Sequence, residues 1–338
     1  MKILVTGGRG TVGSVLVEEL RSRGHDVVSA DLAHGDHEIG YSLRTDVLKP
    51  TYVRCDVGSF RQLERVADTM GPFDYVYHLA AEFGRWNGED FYEQLWQSNA
   101  IGTKNVIRLQ EKHRFRLIHF SSSEVYGDWP DVMAEDVMEK HEVKQMNDYA
   151  LSKWVNECQI RNSIIQYGTE SVVVRLFNTY GPGEFYSPYR SVNCRFMYCA
   201  LMGLPYVVFR GYHRTSTFVS DTVVSLANIA DNFKTGETYN ISSNEYHSIE
   251  ELSDMILRAT GADPSLVVYK DAEPLTTRSK RVDNSKAVRD LGYRAQVGLE
   301  DGVYRTVEWM RGVYLEGSVR SPYAAALGID PVLSGAGV

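Results

Sequence analysis

Short apolar runs alternate with amphipathic stretches through the first half of the chain. The runs at residues 2–6, 26–30, 52–55, 75–79, 116–121 and 171–177 are rich in Val, Ile, Tyr and Phe and bounded by turn residues. Brief continuous runs of this kind suit strands of a parallel sheet covered on both faces. Between them, residues 12–22, 60–70, 89–113 and 148–167 carry apolar positions at helical spacing. The βαβα order predicts an α/β fold, a doubly wound parallel sheet with helices on both sides.

The second half is less regular. Gly181-Pro182-Gly183-Glu184 breaks the chain after a strand, and a polar, aromatic segment comes next at 185–195. The pattern predicts helices at 196–202, 248–260, 285–291 and 299–313, and one more strand of the main sheet at 239–242. Ser248 precedes an apolar run with Glu251 three positions on, a capping-box spacing. The tail, 317–338, has little periodicity and is expected to be poorly ordered. No internal repeat or long linker interrupts the chain.

Composition narrows the function. The 338 residues are 43% hydrophobic and 24% charged, ordinary for a globular protein with one large core or two modest ones. A formal charge of −8 argues against a broad nucleic-acid surface. No apolar run approaches the roughly 18 residues of a membrane span. The chain opens directly on its first apolar run, with no cleavage site, so no signal peptide is expected. The cysteines, Cys55, Cys158, Cys194 and Cys199, form no Cys-x-x-Cys pair and are expected as free thiols in a reducing cytoplasm. The nine histidines lack metal-site spacing, so no metal is expected.

Candidate chemistry begins at Gly7-Gly8-Arg9-Gly10-Thr11-Val12-Gly13, between the first strand and the first helix. Gly7 suits a tight turn, Gly10 lets backbone approach a pyrophosphate, and Gly13 lets helix pack on strand. A helix N-terminus there adds unpaired N–H groups and a positive dipole end. Asp31, at the end of the second strand, can accept both hydroxyls of an adenosine ribose and would repel a 2′-phosphate. The pattern therefore points to NAD rather than NADP, although Arg9 nearby could tolerate the extra phosphate.

A second constellation is Tyr149-Ala150-Leu151-Ser152-Lys153 at the start of a predicted helix. Residues i and i+4 share a helix face. Lys153 is therefore expected to lower the phenol pKa toward neutrality, making Tyr149 a general acid/base. Ser121-Ser122-Ser123-Glu124 comes after another predicted strand, at the edge where open parallel sheets bind ligands.

These motifs, together with His78-Leu79-Ala80-Ala81 and Arg175-Leu176-Phe177-Asn178-Thr179-Tyr180-Gly181-Pro182, resemble the extended short-chain dehydrogenase/reductase family of nucleotide-sugar epimerases, dehydratases and decarboxylases. The similarity runs from Met1 to about Tyr314. It implies a Rossmann domain for NAD over 1–180, with returning segments near 215–242. A smaller, largely C-terminal substrate domain would occupy 181–214 and 243–316. Tyr149 is then the base and Lys153 its partner and nicotinamide-ribose ligand. Ser122 is the hydroxyl beside the reacting oxygen. Asp56 and Val57 match an adenine-contacting pair, and Leu79, Ala80, Ala81 and Asn99 fall at further cofactor positions. Asn178 matches an asparagine that touches the substrate diphosphate. Arg214 matches the arginine of an Arg-x-x-x-[Phe/Tyr]-Val-x-Asp pattern, and Arg278 falls near a second phosphate-binding arginine. Glu82 and Arg190 belong to segments that differ from the common family pattern and are candidates for sugar contact. Arg85, Arg190 and Arg195 are open between reading an anion and being surface charge. The resemblance also implies a homodimer through helices at 89–113 and 148–167.

The shared first step would be oxidation of a sugar at C4, with NAD regenerated in the cycle. The second step depends on Ser122-Ser123-Glu124. The dehydratases of dTDP-glucose carry Thr-Asp-Glu there, so Ser123 stands where an aspartate would help expel a hydroxyl. The hydroxyl-Ser-Glu arrangement resembles UDP-glucuronate decarboxylases and also GDP-mannose 4,6-dehydratases; Glu124 with Arg214 resembles the surroundings of a uronate carboxylate in the former, and Glu124 could alternatively abstract a C5 proton. The order of expectation is decarboxylation, then 4,6-dehydration, then 4-epimerisation. A non-catalytic NAD-binding sensor or scaffold is the alternative of another class.

Overall fold

The computed structural model describes residues 1–32 and 52–316; the expected disorder of 317–338 lies outside them. Among the described residues, seven parallel strands form the main sheet. They are β1 (Lys2–Thr6), β2 (Asp26–Asp31), β3 (Tyr52–Arg54), β4 (Tyr75–His78), β5 (Arg116–Ser122), β6 (Ser171–Leu176) and β7 (Thr238–Ile241). Their order is β7-β6-β5-β4-β1-β2-β3. The chain reverses direction of travel beside β1, where β4 and β2 flank it. This is the doubly wound arrangement the pattern predicts. Register pairs Thr6 with His78, His78 with His119, and Ser122 with Leu176, so the strand ends line up along one edge. Ligands bind at that carboxyl edge in sheets of this type.

Both faces are covered. On one, α1 (Thr11–Ser22) packs Leu16, Val17 and Leu20 with Ile3, Val5, Tyr77 and Phe120. On the other, α2 (Phe60–Met70) and α3 (Gly102–His113) bring Leu63, Val66, Val106 and Ile107 against Leu4, Val28 and Leu117. The long helix α4 (Asp148–Tyr167) lies on this second face. A separate core in the second half joins Phe196, Met197, Leu252, Ile256, Val303, Val307 and Met310. Ser248 caps its helix with Glu251 in the predicted reciprocal box.

Two elements that cover the main sheet differ from the sequence reading. The continuous helix expected over 89–113 is four pieces: Arg85–Asp90, Tyr92–Trp96, a π-helical turn at Gln97–Ile101, then α3. Phe91, at φ −133° and ψ 50°, breaks the first two apart. Apolar spacing continues across both breaks, so periodicity alone does not reveal them. The second difference is α5 (Val219–Asp231), which covers the first face with Val223, Leu226 and Ile229. The four cysteines are unbridged. No helix among the described residues is long and apolar enough to cross a membrane.

Candidate active site

A deep cleft runs along the carboxyl edge, from the glycine turn to the second core. Gly7 sits at φ +72°, and its N–H donates to the Ala30 carbonyl at 2.8 Å. A Cβ there would lie 2.6 Å from the Ala80 nitrogen, and one on Gly13 would lie 2.1 Å from the Gly7 oxygen. Only glycine fits either position. Gly10 caps α1 without a side chain, so the first N–H groups of the helix face the cleft. Thr11, Val12, Val57, Leu79, Ala80 and Ala81 complete this end. Asp31 accepts from the Arg9 N–H at 2.9 Å, and the Arg9 guanidinium lies 4.3 Å from the Tyr52 ring centroid. These groups fit a dinucleotide: bare backbone and a helix end for its pyrophosphate, and a carboxylate for its ribose.

Two residues assigned to the cofactor by resemblance work from behind the wall. Asp56 closes a turn by accepting from the Gly58 N–H at 2.8 Å. Asn99 is buried on the π-helical turn. Its amide accepts from Glu82 N at 2.8 Å and donates to Glu82 O and Ser152 Oγ, each at 3.0 Å. It therefore fixes the backbone beside Ala81.

The reaction centre joins β5 to α4. Ser122, the last residue of β5, accepts from the Glu124 N–H at 3.2 Å and caps a 3₁₀ turn, Ser123–Tyr126. Ser123 is buried in the cleft wall. Asn147 caps α4 by accepting from Ala150 N at 2.8 Å, which places Tyr149 in the first turn against Ser122. Lys153 departs from expectation. Its ammonium donates to the Phe120 carbonyl at 2.9 Å and lies 5.9 Å from the Tyr149 ring. Burial pushes the Tyr149 phenol up to about 12, against the Ser122 hydrogen bond and with help from Glu124. Burial also lowers Lys153 to about 8. The expected lowering of the phenol by Lys153 is thus absent here, because the ammonium is turned to a backbone oxygen. Behind the centre, Arg175 holds Glu157 of α4 through bonds of 3.0 and 2.7 Å and donates to the Tyr126 hydroxyl at 2.9 Å. Glu157 also accepts from Ser121 at 2.5 Å. This buried network ties α4 to the turn that carries Glu124.

At the other end of the cleft, charges gather that the sequence did not single out as a group. Glu124 forms an ion pair with Lys280, whose side chain is 1% exposed. Burial alone would raise the Glu124 carboxyl, but Lys280, Arg85 and Arg214 outweigh it and hold the group at about 2. Arg85 reaches Glu273 at 2.9 Å, so it is part of the cleft rather than free surface charge. Arg214 is also buried. Its guanidinium donates to His213 O at 2.8 Å, to Arg278 O at 3.2 Å and to Thr276 Oγ1 at 3.2 Å. All three acceptors are neutral. Arg278 itself is exposed, stacks toward Tyr212 at 5.7 Å and does not line the cleft. Glu82, Asn178, Arg190 and Arg195 do line it. Glu82 accepts from Asn87 at 3.1 Å, and Arg190 lies 4.2 Å from the Phe83 ring centroid. Asn178, at φ +37°, donates to Thr215 O at 3.4 Å. Lys280 and Glu273 had no sequence signal, since they lie in a polar stretch with several other charges.

Known proteins share this architecture. The sequence model of the NAD dependent epimerase/dehydratase family matches residues 3–242. UDP-N-acetyl-alpha-D-glucosaminuronate decarboxylase of Bacillus cytotoxicus is 30% identical over 92% of this chain and 98% of its own length. The crystal structure of UDP-glucose 4-epimerase from Thermotoga maritima, with UDP-glucose, superposes with a TM-score of 0.81 at 26% identity. That match covers 93% of this chain and 99% of that one. MoeE5, in complex with UDP-glucuronic acid and NAD, gives 0.80 at 26% identity, covering 93% and 100%.

Proposed function

The chain belongs to the NAD-dependent epimerase/dehydratase family, and on that premise we propose that it acts on a nucleoside-diphosphate hexuronate, oxidised at C4 and then decarboxylated. At the level of the family, this is an NAD-dependent nucleotide-sugar-modifying enzyme. One observation carries the choice of substrate. In the charge cluster Lys280 is matched by Glu124 and Arg85 by Glu273, while Arg214, reached by the charge of both carboxylates, makes no ion pair of its own among the described residues. A buried guanidinium of this kind favours an anionic ligand, and a carboxylate suits its geometry.

NAD, when bound, supplies the hydride acceptor and donor for the sugar carbon. With NAD bound, Tyr149 would take the C4 hydroxyl proton as its phenolate, with Ser122 bonded to the phenol and holding the same oxygen; the positive charge of the nicotinamide would oppose the burial that raises the phenol in the empty cleft. Lys153, one helical turn from Tyr149, would hold the nicotinamide ribose when the cofactor is bound. A ketone at C4 makes a C5 carboxylate part of a β-keto acid, so the C5–C6 bonding pair flows toward the ketone as CO₂ leaves, and the enolate so formed takes a proton from water at C5. No acid is needed to expel a hydroxyl. This agrees with Ser123 in the wall and with Glu124 held ionised, since neither can protonate a departing hydroxyl. Arg190, Arg195 and Asn178, which line the same cleft, are assigned to the diphosphate.

The test is a panel of UDP-, GDP-, dTDP- and CDP-linked glucose, mannose and glucuronate, read by mass spectrometry. Loss of CO₂ from a uronate is expected. Turnover of the neutral hexoses with no action on the uronates would reject the reading. Arg214→Gln should raise KM for the uronate by about 10- to 100-fold, the value of a charge-assisted contact. We also propose that the protein is a homodimer. Phe91, Tyr92, Ile101 and Leu151 are large exposed apolar residues on the segments expected to pair. A monomer in light scattering would refute it.

A further inference from the structure

Lys280 lies outside the cleft wall, yet its ammonium is among the most enclosed charges in the protein. Its backbone is pinned on both sides. The N–H donates to His213 O at 3.2 Å, and the carbonyl accepts from Thr215 Oγ1 at 3.0 Å. Two positions later Val282 bridges to Met133. The ammonium therefore stays behind Glu124, whose carboxylate faces the cleft.

The stretch from Glu273 to Lys280 touches each part of the sugar end. Glu273 holds Arg85. The Leu275 carbonyl accepts from Asn147, the cap of the Tyr149 helix, at 3.0 Å. Thr276 and Arg278 hold Arg214. Lys280 holds Glu124. The groups whose charge reaches Glu124 are Lys280, Arg85 and Arg214, and Tyr149 and Ser122 lie on its other side.

We propose that Lys280 is a positioning residue that decides which anion Arg214 serves: by taking Glu124 as its own partner, it leaves Arg214 for the carboxylate of the substrate. This rests on the hexuronate reading above. Without Lys280, Glu124 would be a buried carboxylate short of a counter-ion, and Arg214 is the nearby cation with no acid partner to lose. Arg214 would then be drawn to Glu124, and a uronate would lose its contact. A neutral hexose would lose nothing.

The experiment is calorimetry on the NAD-loaded enzyme with UDP-glucuronate and UDP-glucose, every variant and the wild type at position 280 carrying Tyr149→Phe so that no sugar is turned over. The wild type is expected to prefer the uronate by roughly tenfold or more, in line with a charge-assisted contact. In Lys280→Met the preference should fall to within about threefold, with UDP-glucose affinity unchanged. Lys280→Arg should keep it. The double variant Glu124→Gln/Lys280→Met should recover it, because Arg214 then has no competitor. A preference retained in Lys280→Met, or not recovered in the double variant, would overturn the proposal. Loss of UDP-glucose binding in Lys280→Met would do the same, since that marks a general structural role. Carbon NMR of labelled glutamate, assigned with Glu124→Gln, gives a reading free of any sugar. Glu124 should stay ionised at neutral pH in the wild type and, held by Arg214, in Lys280→Met, and titrate above the ordinary carboxylate range in Lys280→Met/Arg214→Gln. An unshifted titration would overturn the counter-ion role. Equal wild-type affinity for both sugars, with the NMR shift present, would reject the hexuronate reading and leave Lys280 as the partner of Glu124.

Discussion

The glycine turn and the sugar-end charge cluster stand on the same edge of one sheet, but they are made of different material. From Gly7 to Gly13 much of the wall is backbone, and its backbone hydrogen bonds are between neighbours in the chain or on adjacent strands. At the sugar end the wall is side chains drawn from far apart. Glu124 and Lys280 are 156 positions from one another, and Arg85 and Glu273 are 188. A backbone cradle is indifferent to which side chains flank it and fails when a single methyl group is added. A cluster of paired charges tolerates bulk at its rim and fails when one charge goes. On the proposed reading, the first kind of site recognises what every substrate cycle shares, and the second recognises what distinguishes one sugar from another.

That contrast can be broken in order of size. Tyr149→Phe sits where the two halves meet and should show the largest effect. Loss of a placed acid/base group costs about 10²–10⁴-fold in kcat, and NAD affinity by calorimetry should be unchanged. A variant keeping half of the activity would remove Tyr149 from the chemistry. Next comes the buried network that joins the halves. Glu157→Gln leaves Arg175 charged, 2% exposed and unpaired, which should cost about 3–5 kcal/mol in chemical denaturation. A shift below about 1 kcal/mol would mean that the network is not strained by losing one member. Smaller still is Gly7→Ala. Steric insertion at a packed site costs about 1–3 kcal/mol, so NAD affinity should fall by roughly 5- to 150-fold, with the Glu124 pair intact. Last, Arg278→Ala should change nucleotide-sugar affinity less than about twofold, since it is the backbone carbonyl of Arg278 that serves the site. A tenfold loss would return its guanidinium to the diphosphate.

The sheet was legible because its strands are buried on both faces and read as unbroken apolar runs. The same logic hid α5. Nine of its thirteen residues are buried, Asp221, Thr222 and Ser225 among them. With polar residues turned inward, no apolar stripe stands out. Asp221 is spent on the N–H groups of Gln296 and Val297, at 2.8 and 3.0 Å, a partner no local pattern reveals. In the site, the glycine turn, Ser122, Tyr149 and Lys153 were readable because each sits where a strand ends or a helix starts. The stretch 276–281 offered Arg278, Lys280 and Arg281 on equal terms. Which of them turns inward depends on its bridge to His213 and on Met133 N bonding Arg281 O at 2.7 Å. Those are facts of tertiary register. The resemblance named Arg278, and the fold buries Lys280.

The stretch from Glu273 to Lys280 also bears on how such an enzyme changes its trade. It contributes nothing to the main sheet and nothing to the glycine cradle, yet it holds Arg85, Arg214, Glu124 and the cap of the Tyr149 helix. Rewriting those eight residues would alter the charge offered to the sugar while the redox apparatus stayed as it is. Diversification of substrates can therefore proceed by exchange of one short loop, without refolding the domain that carries the cofactor.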